Sequence, residues 1–78
     1  MHVIKITKAP DTISMEVYKS DLSLVSSRTF EDMQTLNFYL QAIGEQNKIG
    51  EAVAVIHDRQ MNSVALRLLP SSDSLYID

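Results

Sequence analysis

Only one stretch of this chain, Thr29 to Gln46 (TFEDMQTLNFYLQAIGEQ), spaces its apolar residues by three and four, while most of the remaining apolar residues alternate at period two. A chain with one helix-forming segment and several strand-forming ones must build its core between that helix and a sheet. With Phe30 set at zero and each residue advancing 100°, Met33, Leu36, Leu40 and Ile43 fall between about 220° and about 300°, a single stripe. Phe30 lies on one shoulder of the stripe and Tyr39 on the other. Thr29 is the expected N-cap, with Glu31 and Asp32 complementing the positive end of the helix dipole, and Gly44 and Gly50 are the expected exit residues. Phe38 breaks the pattern. It falls at about 80°, nearly opposite the stripe, among Glu31, Gln34, Thr35, Gln41, Ala42 and Glu45.

The rest of the chain supplies strands. His2, Ile4 and Ile6 alternate with Val3, Lys5 and Thr7 until Pro10 and Asp11 interrupt them. Ile13, Met15 and Val17 take one side of a second strand, and Lys19-Ser20-Asp21 forms a turn into a third, Leu22 to Ser26, making a hairpin. Beyond the polar connection Glu45 to Gly50, Ala52 to Ile56 is apolar without alternation, the composition of a strand covered on both sides. A loop from His57 to Asn62 leads to Val64, Leu66 and Leu68 alternating with Ala65, Arg67 and Leu69, ended by Pro70. The expected fold is α+β: a single domain over 1–78, in the order β-β-β-α-β-β, with one helix on one face of a mainly antiparallel sheet of about five strands. Residues 71–78 are expected to be a tail, mobile over Ser71 to Ser74, with Leu75, Tyr76 and Ile77 as a short edge strand or loose end.

One helix is about 10 Å wide and covers only part of such a sheet, so the opposite face is left open. Val3, Tyr18, Val25, Ala65 and Leu69 are assigned to it, mixed with Lys5, Glu16 and Arg67. Homodimerisation around Tyr18, Val25 and Arg67 follows as one reading of function.

The 78 residues include no cysteine, so neither a disulfide nor a thiolate metal site is available. No run approaches the roughly 18 apolar residues of a membrane span, and the first ten residues lack a signal peptide's apolar core, which together point to a cytoplasmic protein. Ten acidic residues against seven Lys and Arg give a net charge of −3, unfavourable for a phosphate backbone and favourable for a basic protein surface. His57-Asp58 has only His2 as a further histidine, too few for a three-ligand metal site, and fits a strand end where Asp58 caps a turn. The serines lack a nucleophile elbow, and two glycines cannot form a phosphate cradle. We therefore expect no enzyme, metal or cofactor. Weak nucleic-acid binding is a minor alternative, since Tyr18 is the only aromatic among the expected strands.

The hairpin followed by Arg28-x-Phe30, Leu36 and Phe38-Tyr39 resembles, over Ile13 to Ile43, small phage and mobile-element inhibitors such as some anti-CRISPR proteins, and antitoxin domains of the HicB type. The resemblance implies an inhibitor that occupies a partner's surface, and it assigns no residue. From the residues themselves the first expectation is the same: a non-enzymatic regulator acting by steric occlusion, with Phe38 as anchor, Gln34, Thr35 and Ala42 around it, and Glu31, Glu45 and Glu51 steering a basic partner.

Overall fold

A computed structural model of the chain describes residues 1–70 and 75–77. Its elements are β1 (His2–Lys8), β2 (Ile13–Tyr18), β3 (Leu24–Phe30), α1 (Met33–Gln46), β4 (Ala52–Asp58) and β5 (Ser63–Leu69). The five strands form one mixed sheet in the order β3-β2-β1-β4-β5, with the helix on one face. Every neighbouring pair is antiparallel except β1 with β4, which run parallel because β2, β3 and α1 lie between them in the chain. The helix-side core consists of Ile4 and Ile6 from β1, Met15 and Val17 from β2, Phe30 from β3, Ala52, Ala54 and Ile56 from β4, and Leu36, Leu40 and Ile43 from α1.

The helix starts three residues later than its periodicity suggests. Ser26, Arg28 and Phe30 continue the alternation of β3, paired with Val17, Met15 and Ile13, so Thr29 and Phe30 belong to the strand and Glu31 to the bend after it. Asp32 is the N-cap: its Oδ1 accepts from the Thr35 backbone N–H at 2.8 Å and from the Thr35 hydroxyl at 2.9 Å. Thr29 and Asp32 are both good caps, and the one that leaves Phe30 buried in the sheet prevails.

The exit also differs. Gly44 lies within the helix and Gly50 has open space around it, so neither glycine ends the helix. Asn47 is the C-cap and Lys48 takes the left-handed conformation, φ 52°. The Ile49 N–H then reaches the Gly44 carbonyl at 2.9 Å, and the Lys48 N–H reaches Glu45 at 3.4 Å, the bonding of a Schellman motif. Fully buried Ile49 anchors the chain beyond it.

Strand β4 is half as covered as its composition suggests. Ala52, Ala54 and Ile56 are buried, while Val53 and Val55 are only partly so, because among the described residues no other element packs on that face. His57 and Asp58 end β4 rather than opening the loop, and Asp58 Oδ1 accepts from the N–H groups of Gln60 and Met61, each at 3.1 Å, as its expected turn role requires. The final residues are neither an edge strand nor loose. Leu75 and Ile77 are fully buried, and the stretch from Ser71 to Ser74, expected to be mobile, lies outside the described residues.

Lys48 occupies a backbone region that costs an L-residue about 1–2 kcal/mol. Replacing Lys48 by glycine is expected to stabilise the protein by about 1 kcal/mol, less the entropy that glycine adds to the unfolded chain. Urea denaturation with an unchanged slope would register the gain.

Candidate functional site

Two solvent-facing surfaces remain once the core is assigned: the outer face of α1 and the open face of the sheet. The first is shaped by a buried amide. Asn37 is 5% exposed, and its Nδ2 donates to the Ile77 carbonyl at 2.7 Å while its Oδ1 accepts from the Ile77 N–H at 2.7 Å. The side chain thus pairs with Ile77 as a neighbouring strand's peptide would, and among the described residues no buried side-chain nitrogen or oxygen is left without a partner. About two turns further along the helix, the tail comes closer still. A Cβ on Gly44 would stand 2.6 Å from Leu75 Cδ1, so the helix has a glycine here to admit Leu75.

Asn37 and Tyr39 project about 160° apart around the helix. Tyr39 ties its side to β3: its hydroxyl bonds Ser26 Oγ at 2.8 Å, its ring lies 5.5 Å from that of Phe30, and Arg28 Cζ sits 4.8 Å above it. The helix is therefore held on opposite flanks, by β3 on one and the tail on the other.

Between these two fixings stands Phe38, 67% exposed. Among the described residues the tail leaves it open; Tyr76, 59% exposed, lines the same groove. Gln34, Asn37, Phe38, Gln41 and Tyr76 line an open groove on one side of the ring. On the other side Arg28, Glu31, Thr35 and Tyr39 line a second groove, which Phe38 shares. The structure thus brings Phe38, Gln34, Thr35 and Glu31 together, whereas Ala42 and Glu45, also exposed, line neither groove. Thr35 is already engaged with Asp32. The sequence reading missed Asn37 and Tyr76, although a polar residue at about 340°, against the apolar stripe, is a signal that could have found Asn37.

The open sheet face corrects several assignments. Tyr18, Val3, Lys5 and Glu16 do lie on it. Arg67, Ala65 and Leu69 do not: they pair with Ala54, Ile56 and Ala52 on the helix side, and Leu69 is buried. Both parities of β5 are apolar, so alternation alone could not choose, and the larger set, Val64, Leu66 and Leu68, faces outward. Val25 also leaves the open face. Val17 pairs with Ser26 and Tyr18 with Leu24, so Val25 is the extra residue of a bulge and packs against the core, while Leu24 takes its expected place outside.

The register then orders the open face in rows. Leu24, Tyr18, Val3, Val53 and Leu68 form an apolar row across all five strands. The next row is Ser27, Glu16, Lys5, Val55 and Leu66, and the third is Thr29, Ser14, Thr7, His57 and Val64. Leu22, at φ 69° in the β2–β3 loop, joins Val3, Tyr18 and Val55 around a shallow depression.

Among the described residues no group of three or more His, Asp or Glu could hold a metal ion, and no helix is long and apolar enough to cross a membrane. Burial first, then the N-terminal charge and Lys19, hold the His2 imidazole below its usual value. The Thr35 N–H, then the Thr35 hydroxyl, hold the Asp32 carboxyl below the usual carboxylate range. No family model, no curated protein and no solved structure matches the chain.

Two predictions follow from these contacts. Asn37→Ala strands the buried N–H and C=O of Ile77 and should cost about 2–4 kcal/mol in chemical denaturation. Asn37→Asp keeps the acceptor but sets a carboxylate against the Ile77 carbonyl, so its stability should recover as acid protonates it and should be lost as pH rises. The cap behaves in the opposite sense. A depressed Asp32 contributes stability above its unfolded-state value and loses it as pH falls through its folded-state value, so the advantage of wild type over Asp32→Asn should be full above about pH 5 and vanish in stronger acid.

Proposed function

We propose that this chain is a non-enzymatic binding protein that regulates or inhibits a larger protein by occluding part of its surface with the outer face of α1. The observation that carries this reading is Phe38 and Tyr76, two largely exposed aromatic rings that line one groove over a helix fixed on both flanks. A large aromatic within a polar rim is the composition of an interface anchor, and because the backbone beneath is already ordered, little conformational entropy remains to be lost on binding.

Charge defines the partner's chemistry. Between Met33 and Gln46 the only charged side chain is Glu45, and Glu31 and Asp32 precede it, so the helix carries acid and no base. Arg28 is drawn back over the Tyr39 ring. The matching partner has an apolar pocket for the two rings and a basic rim, met in a reducing compartment such as the cytoplasm, where a cysteine-free chain loses nothing. The inhibitor class that the sequence resembles acts in this manner, by covering a site.

Phe38→Ala tests the reading. The substitution removes an exposed ring, so stability should change by no more than about 0.5 kcal/mol. A partner captured from host lysate by the wild-type chain should be lost, with affinity reduced about 30-fold or more. Raising salt should slow association with that partner, since steering between acidic and basic surfaces is screened. Capture that is unchanged by Phe38→Ala would overturn the proposal.

A further inference from the structure

The open sheet face has a composition that the helix-face reading does not use. Its longest apolar row, Leu24-Tyr18-Val3-Val53-Leu68, spans the full width of the sheet, and Leu66 and Val64 extend it down β5. Leu66 is 71% exposed, and Val64 and Leu68 are nearly as open. Contiguous apolar surface on this scale marks an interaction site.

We infer that the occupant of this face is a second copy of the chain, packed open face to open face about a two-fold axis. Charge supports this choice. Among the strand residues of the face the only Lys, Arg, Asp or Glu side chains are Lys5 and Glu16, which stand opposite each other in the β1–β2 register, so these formal charges cancel. The net charge of −3 is therefore carried wholly elsewhere. Two acidic molecules can meet on this neutral face, whereas the helix face, with Glu31, Asp32 and Glu45 as the acids on or beside it, would set acid against acid in its own copy.

Size supports it as well. Five strands at about 4.8 Å and seven residues at about 3.3 Å make a face of about 24 by 23 Å, so two apposed faces bury about 1,100 Å². A specific interface needs about 1,000 Å². Packing through the face also covers the apolar row, which pairing along the β5 edge would leave in water. Sheets stacked in this way place both helices outward, so each Phe38 stays accessible.

Sedimentation equilibrium of the full chain tests the inference. The wild type should dimerise at micromolar concentrations with little dependence on salt. Leu66→Glu, at a site open enough to leave the monomer folded, should raise the dissociation constant about 30-fold or more. Val53→Glu, on a strand that edge pairing would not touch, should do the same, with circular dichroism confirming its fold. Phe38→Ala should leave the dimer intact, which separates this contact from the helix face. A wild type that stays monomeric at all accessible concentrations, or a dimer that survives Leu66→Glu, would overturn it.

Discussion

A single helix is too narrow for the sheet it has to cover. Five strands span about 24 Å, whereas an α-helix with its side chains spans about 10 Å. The helix of this chain lies toward β3 through Tyr39, and the deficit on its other flank is met by three residues from the end of the chain. Leu75 and Ile77 supply apolar cover and reach full burial. Irregular backbone at that depth would strand its polar groups, and the Asn37 amide resolves this by offering Ile77 a donor and an acceptor together. Gly44 completes the fit by giving Leu75 room where any other residue would intrude.

This arrangement explains which parts of the fold were legible in the sequence. The order of elements, the two hairpins, the stripe Leu36-Leu40-Ile43 and the exposure of Phe38 all follow from local periodicity, and the structure contains them. Boundaries and faces were harder wherever two local solutions compete. Thr29 and Asp32 can each cap a helix, and only the burial of Phe30 opposite Ile13 decides between them. In β5 both parities are apolar, and in β3 a bulge moves Val25 from one face to the other. The tail was least legible, because its order depends on a contact between positions forty residues apart. No periodic pattern encodes that pairing.

The same constraint leaves the molecule with two unlike surfaces. On the helix side, Phe38 is exposed because the stripe beneath it is complete: Leu36, Leu40 and Ile43 fill the core, and the tail inserts below the ring rather than above it. On the sheet side, no described residue of another element covers the row from Leu24 to Leu68. An aromatic ring set in an acidic, polar rim and a broad neutral apolar sheet ask for different partners. The first favours a surface of opposite charge, and the second tolerates an identical one.

Geometry makes the two readings mutually consistent. The surfaces lie on opposite sides of one sheet, so a partner on the helix does not compete for space with a copy on the open face. A face-to-face dimer would add rigidity behind β3, whose Ser26 and Arg28 hold Tyr39 and thereby one flank of the helix. It would also carry two helix faces pointing apart, which suits separate partner molecules better than two sites on one. The proposed occlusion would ask for no chemistry, only a ring on a helix that is fixed by an amide on one flank and a phenol on the other.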